Sequence, residues 1–392
     1  LSNKPKEAAY PAPGAPQSMH AMESALDDLA IELKMDPIDL RLKNAADEGT
    51  QAAYGPKFPA IGLKACLEAA RKHPNYTNPV PEGAGRGVAV GFWFNVGMQS
   101  SAEVHINENG TVQLIEGSPD IGGSRASMCL MASETLGVPY EQIRALVGDT
   151  ESTGFSNVTG GSRTTFATGM AVIQACEDII TQCKARAAAT WGMDEDQVDW
   201  QDGQAVPAAG VNADVTPLSL ADIAAKAGRT GGPLLGRASL NAQGAGAGFS
   251  VNLTDLRVDR ETGKIDVLGF TAIQDAGKAI HPSYVEGQLQ GGAAQGLGWA
   301  LNEEYIYDDN GVLENAGFLD YRIPVASDLP MIDTEIIEVP NPSHPYGVRG
   351  VGETPIVAPL AAASNAVRDA IGIRIHDLPL SPPRVLEALD NV

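Results

Sequence analysis

The sequence predicts an α+β chain built from two related units, and two observations carry that expectation. A strand–turn–strand pattern occurs twice, from Val104 to Leu114 around Asn109-Gly110 and from Leu256 to Val267 around Gly263. Each copy runs on into a short Asp-x-Gly element, Asp120-Ile121-Gly122 and Asp275-Ala276-Gly277, with a helical pattern beyond. The predicted division is an N-terminal helical segment and linker over 1–86, a first α+β unit over 87–248 and a second over 249–392.

Along the chain, the turn-forming run Tyr10-Pro11-Ala12-Pro13-Gly14-Ala15-Pro16-Gln17 precedes a helix predicted from Ser18 to Lys34. Met22, Ala25, Leu26, Leu29 and Leu33 recur there with the 3.6-residue period. Asp36-Pro37 starts a short second helix through Leu42, and a third is predicted from Ile61 to Arg71. The prolines and glycines between Lys72 and Arg86 read as a linker. Strands follow over Val88–Phe94, Ser101–Ile106 and Val112–Gly117, then helices over Ser124–Leu136 and Phe166–Ala189. Residues 191–248 read as an insertion with small strands. The stretch Ile356–Ile371 has helical spacing and Gly372 supplies its stop.

Composition narrows the function. With 27 basic against 49 acidic residues the formal charge is −22, which argues against nucleic acid or an anionic membrane as partner. No apolar run reaches membrane-spanning length, which predicts no membrane span, and no signal peptide is visible, although the chain opens on Leu1. Cys66, Cys129, Cys176 and Cys183 form no Cys-x-x-Cys pair, so neither an iron–sulfur cluster held by this chain nor a disulfide framework is expected. That suits a reducing, cytoplasmic compartment. The six histidines lack metal-ligand spacing, and no direct protein ligand to a metal is predicted.

Four segments have the character of a wrapped ligand site. Gly122-Gly123-Ser124-Arg125 and Thr159-Gly160-Gly161-Ser162-Arg163-Thr164-Thr165 each open a helix, where backbone N–H groups and hydroxyls seat phosphate or pterin oxygens. The third, Gly287 to Gly298, combines small residues with Gln288, Gln290 and Gln295. The fourth is Gly350-Val351-Gly352-Glu353, whose glycines let a bulky ligand approach the chain and whose carboxylate is a candidate general base. The alternative for Glu353 is service at a helix N-terminus, and for each glycine segment a tight turn or close helix packing. Neither a Walker loop nor the dinucleotide glycine spacing is present.

Taken in order, these segments resemble the molybdenum hydroxylase family, which includes xanthine dehydrogenase, aldehyde oxidoreductase, nicotinate dehydrogenase and aerobic carbon monoxide dehydrogenase. The resemblance covers nearly the whole chain. It begins at Tyr10–Gln17 and Asp36–Asn44 and continues through Asp120–Ser124, Thr159–Thr165, Val285–Gly298 and Gly350–Glu353. It implies a molybdopterin-binding domain of the xanthine dehydrogenase type, the second molybdopterin-binding part of a molybdenum subunit. The implied cofactor is molybdenum–molybdopterin in its cytosine dinucleotide form, contacted by Gly122, Gly123, Ser124, Gly160, Gly161, Ser162, Thr164, Gln288 and Gln295. Glu353 is the implied catalytic base, and Pro11 and Pro13 line the substrate pocket. The implied reaction is oxidation of an N-heteroaromatic or aldehyde substrate with water-derived oxygen. Partners follow: a polypeptide carrying the first molybdenum-binding domain, an iron–sulfur subunit, and a flavin (FAD) or other electron-acceptor subunit. A non-catalytic cofactor carrier or scaffold is the alternative. Two departures from the family pattern stand out: Pro11 where many relatives have arginine, and Gly123 where they have glutamine.

Overall fold

A computed structural model describes residues 9–148, 151 and 153–391. The chain divides into two compact units that do not follow the three consecutive segments expected. One comprises residues 1–95, 246–342 and 349–392; the other comprises 96–245 and 343–348. The reason is strand pairing: β1 (Ala84–Trp93) hydrogen-bonds antiparallel to β9 (Gly248–Val258), which ties the N-terminal segment to the C-terminal part of the chain.

The first unit is built on a four-stranded sheet of order β1-β9-β10-β11, with β10 at Ile265–Asp275 and β11 at Ile332–Ile337. β9 and β10 form the predicted hairpin, whereas β10 and β11 run parallel and are joined through helix α9 (Pro282–Leu301). One face of the sheet is covered by α2 (Pro37–Asn44) and α3 (Leu63–Lys72), which bury Ile38, Cys66 and Leu67 against Val88, Val251 and Leu253. The other face carries α9 and α10 (Pro359–Ile371).

The α10 contact follows from residue size. On β1, positions 85, 87, 89 and 91 share one face, and they are Gly, Gly, Ala and Gly. Ala89 packs on Ala358, Ala361 and Ala362 of the facing segment. A Cβ at Gly87 would fall inside the van der Waals envelope of the Ala362 carbonyl, and one at Gly85 inside that of Ala366 and Ala370. Helix and strand thus touch backbone to backbone, which only glycine and alanine permit.

A buried ion pair pins the segment leading into that helix. Arg349 and Asp275 meet at 3.0 Å with both side chains excluded from solvent. Asp275 also accepts the N–H groups of Gly62, Gly277 and Val339, while Arg349 donates to the carbonyls of Ala60, Ala247 and Val339. Such a pair persists because its remaining hydrogen-bonding capacity is filled.

Helix α1 (Ala15–Leu33) has the predicted location, with an inverted orientation. Its periodic apolar residues Met22, Leu29 and Leu33 face solvent, and Glu23 and Asp27 are buried. Glu23 pairs with Arg41 at 2.7 Å and accepts the Val90 N–H, and Asp27 pairs with Arg374 at 2.8 Å. The face of α1 held by the unit carries Glu23, Ser24 and Asp27 together with Met19 and Ala30. Two more helices complete it, α4 (Pro74–Thr77) within the expected linker and α11 (Pro382–Asp390) at the end.

The second unit repeats the plan. Its sheet has the order β4-β3-β2-β8, with β2 (Met98–Ile106) and β3 (Val112–Glu116) as the predicted hairpin. β3 and β4 (Ile143–Val147) are parallel and joined through α5 (Ser124–Leu136), as β10 and β11 are joined through α9. β8 (Leu234–Ala242) pairs antiparallel with β2, as β1 pairs with β9. Helices α5 and α6 (Gly169–Trp191) bury Met128, Leu136, Val172 and Ile179 against Val104 and Leu114. The predicted insertion is a small sheet of β5 (Val198–Gln201), β6 (Gln204–Pro207) and β7 (Leu218–Ser219) followed by α7 (Leu220–Ala225) and α8 (Ala227–Thr230). The inner side of this insertion, Val198, Ala205 and Ile223, extends the same core, while β8 leaves it for the main sheet. All four cysteines are buried and free.

His344 returns to this unit and is buried, its Nδ1 accepting the Tyr346 N–H at 3.0 Å and its ring centroid 5.5 Å from that of Phe166. Burial pushes its pKa down to about 4.

Two measurements test this packing. Gly87→Ala should lower stability by about 1–3 kcal/mol through overpacking, seen as a reduced urea midpoint. His344 should contribute no pH dependence above about pH 6.5, the unfolded value. As pH falls from there toward 4 the unfolded chain takes up the proton first, so stability should drop by about 1 kcal/mol per pH unit. His344→Gln should flatten that slope in pH-dependent melting.

Candidate functional site

Glu353 closes the loop after Arg349 and begins a 3-10 turn, Thr354–Ile356, that leads into α10. It is half-buried, and its Oε1 accepts the Ala12 N–H at 2.9 Å across 341 residues of sequence. The structure therefore brings together two segments predicted separately, the Tyr10–Gln17 run and the glycine-flanked glutamate.

The geometry on the Ala12 side is specific. Ala12 is fully buried with φ 51°, a left-handed conformation unusual for alanine. Its carbonyl accepts the Ala15 N–H at 2.9 Å, and Gly14, at φ 80°, opens α1. The Ala12 methyl group packs with Met19, Trp93, Ile356 and Val357, so its N–H is held against Glu353 by a small apolar core. Of the two predicted pocket prolines, Pro11 is half-buried and Pro13 exposed.

Helix α9 supplies the next wall. Gln288 and Gln295 lie seven residues apart and therefore on the same helical face, both half-buried. A Cβ at Gly292 would strike Pro355, and one at Gly296 would strike Pro359, so the helix lies directly against the turn that follows Glu353. The Gln295 side chain lies beside the Tyr10 hydroxyl, and the Tyr10 ring meets Trp299 edge-on at 5.1 Å. Burial raises the Tyr10 pKa above its ordinary value, keeping the phenol protonated. Gln290 faces elsewhere and donates to the Ile332 carbonyl. Tyr10 and Trp299 were not singled out by the sequence, where each reads as an isolated aromatic; only the α9 face, which carries Trp299 four residues after Gln295, could have suggested one of them.

The other predicted contacts lie in the second unit and come together there. Gly122 and Gly123 both have positive φ, 65° and 77°, and Gly123 is the residue before α5. Ser124 is buried, its Oγ donating to the Pro119 carbonyl. In the second loop Gly161 and Ser162 have φ 71° and 56°, and Gly161 is so close to Val96 that a Cβ there would overlap it. Gly160 and Ser162 are half-buried beside it. Thr164 starts a π-helical turn, Thr164–Thr168, that runs into α6. The hydroxyls of Thr159 and Thr164 are buried and have no hydrogen-bond partner among the described residues.

A buried polar chain joins these two loops. The fully buried Arg163 donates to the Gly97 and Asn157 carbonyls and to Ser100 Oγ. Thr168 Oγ1 stands 2.9 Å from both Ser100 Oγ and Ser118 Oγ. Glu116 Oε2 accepts the Ser118 N–H at 2.6 Å, and its other oxygen is buried with no partner among the described residues. Burial pushes the Glu116 pKa up to about 7, against the lowering effect of Ser118. Among the described residues, no cluster of His, Cys, Asp and Glu could hold a metal ion directly.

Comparison with known proteins places the chain in one family. A molybdopterin cofactor-binding domain model matches residues 63–330, and a second model of the same description matches residues 1–45. The chain belongs to the molybdenum hydroxylase family. The xanthine dehydrogenase molybdenum-binding subunit of Escherichia coli O157:H7 is 33% identical over 98% of this chain and 54% of its own length. The aldehyde oxidoreductase of Megalodesulfovibrio gigas is 31% identical over 96% of this chain and 41% of its own. The fold is that of a copper- and molybdenum-containing CO dehydrogenase, with a TM-score of 0.86 at 24% identity over 96% of this chain and 52% of that one. The chain thus spans about half the length of these relatives. The match over 1–45 covers the first part of the expected N-terminal segment, 1–86.

The Ala12 contact generates a test. Glu353→Ala should leave that buried N–H without its acceptor and cost about 1–3 kcal/mol, with faster amide exchange at Ala12. Glu353→Gln, whose amide oxygen can still accept, should keep both stability and exchange close to the parent.

Proposed function

We propose that this chain is the second molybdopterin-binding part of a molybdenum hydroxylase, with Glu353 as general base. The observation that supports this best is the placement of Glu353: a half-buried carboxylate held by the Ala12 N–H and bordered by α9. A glutamate serving its own helix needs no partner 341 residues away.

The residues fit the cofactor. Two loops with left-handed glycines lead into helices, and the buried hydroxyls of Thr159 and Thr164 lack a partner among the described residues, which suits a polar ligand there. In this reading Gly122, Gly123, Ser124, Gly160, Gly161, Ser162 and Thr164 hold the pterin and its phosphates, in the cytosine dinucleotide form, and Gln288 and Gln295 supply amide donors and acceptors. When bound, the molybdenum centre supplies the two-electron oxidant. The chain's own part is to take a proton at the Glu353 carboxylate as water-derived oxygen is added to the substrate. Tyr10 and Trp299 give that site an aromatic border, which suits a planar N-heteroaromatic substrate or an aldehyde. Pro11 and Pro13 extend the border without the charge an arginine would bring.

The full enzyme then needs a polypeptide carrying the first molybdenum-binding domain, an iron–sulfur subunit, and a flavin or other electron-acceptor subunit. The acidic surface favours no nucleic acid. Among the described residues no helix is long and apolar enough to cross a membrane. Cytoplasmic residence fits the four reduced cysteines.

The test is Glu353→Gln in the assembled enzyme from its native source. Turnover should fall by about 10²–10⁴-fold while molybdenum and pterin content, measured by metal analysis and mass spectrometry, stay unchanged. Full activity in that variant would remove Glu353 as base and favour a cofactor carrier.

A further inference from the structure

Helix α1 is amphipathic in the reverse of the usual sense. Its polar residues Glu23, Ser24 and Asp27 are buried, and its apolar residues Met22, Leu29 and Leu33 are 49%, 44% and 54% exposed. Ala25 is exposed and Leu26 half-buried on the same side. Positions 22, 25, 26, 29 and 33 follow the i, i+3, i+4, i+7 spacing of one continuous stripe. The inversion is fixed by ion pairs rather than by loose docking. Arg41 holds Glu23, and Arg374 donates to Asp27 and Asp28, so the helix cannot roll its apolar side inward without breaking buried pairs. A rigidly presented apolar stripe of this kind is the anchor pattern of a helix that lies in a partner's groove.

Two facts identify what covers it. The helix lies within residues 1–45, the part matched by a molybdopterin-binding model separate from the one that matches 63–330. The chain also spans only about half the length of its relatives. We infer that the apolar stripe of α1 is a docking surface, and that its occupant is the half of the molybdenum polypeptide that these residues do not span, whether joined to this chain or carried on a separate subunit. This rests on the proposed molybdenum-subunit reading and adds the contact face to it. Met22 and Leu29, two turns apart on the stripe, are the expected anchors.

The experiment replaces Met22, and separately Leu29, with the photo-crosslinking residue p-benzoylphenylalanine in the enzyme assembled in its native source, and maps the crosslinked peptides by mass spectrometry. Crosslinks into the complementary half of the molybdenum polypeptide are the expected result. Crosslinks to a second copy of this chain, to an iron–sulfur or flavin subunit, or to none would overturn the inference. A companion variant, Leu29→Asp with Leu33→Asp, made in the assembled enzyme, should keep its far-ultraviolet circular dichroism. In the assembled enzyme the same variant should raise proteolytic release of the complementary half at least tenfold, and unchanged release would also count against the docking face. Molybdenum content of the unsubstituted preparation is measured in parallel. Its absence would sink the hydroxylase reading while leaving the crosslink map interpretable.

Discussion

The contact on which the first unit depends is the backbone-to-backbone approach of α10 to β1. Gly85, Gly87, Ala89 and Gly91 present a strand face with almost no side chains, and α10 answers with Ala361, Ala362 and Ala366. At that distance the helix has little freedom to slide, because any larger group on either side overlaps backbone. The turn before α10 is fixed as a consequence, and Glu353 begins that turn. The Arg349–Asp275 pair fixes the other side of the same loop by drawing on residues near positions 60, 247, 277 and 339. Between these two restraints the carboxylate meets the Ala12 N–H. The proton-transfer role proposed for Glu353 would need this kind of support, since such a rate depends on position within fractions of an ångström.

The second unit is held by a different device. Its two glycine loops have left-handed residues that aim backbone N–H groups, and the chain Glu116–Ser118–Thr168–Ser100–Arg163 joins them beneath the surface. Hydrogen bonds of this kind stiffen two loops together without adding apolar bulk. The two units share one topology, a hairpin followed by a helical crossover to a parallel edge strand. In one the crossover helix carries glutamines; in the other it opens on glycines.

Much of this was legible because it is local. Helix starts and stops, the Asn109-Gly110 hairpin and the repeated strand–turn–strand follow from backbone preferences of the residues concerned. Helix α5 has the predicted bounds, Ser124–Leu136. The glycine loops and Glu353 were visible because paired glycines just ahead of a helical pattern mark a left-handed turn or a close approach to the backbone. The division into units was less legible, since nothing in Ala84–Trp93 states that its partner strand lies at Gly248–Val258. The orientation of α1 was also hidden. Periodicity shows that a stripe exists, and only the arginines at 41 and 374 decide which side is buried.

By itself, then, the sequence determined the α+β character, the element order, the family resemblance and the residue types at the candidate site, because each is written in short-range pattern. The tertiary structure alone decided that Ala12 donates to Glu353, that Tyr10 reaches Gln295, and that Ser118 and Thr168 join two loops. Those contacts pair residues from tens to hundreds of positions apart. Their formation depends on three-dimensional packing, above all the glycine–alanine contact that seats α10 and the buried charges that seat α1 and Arg349.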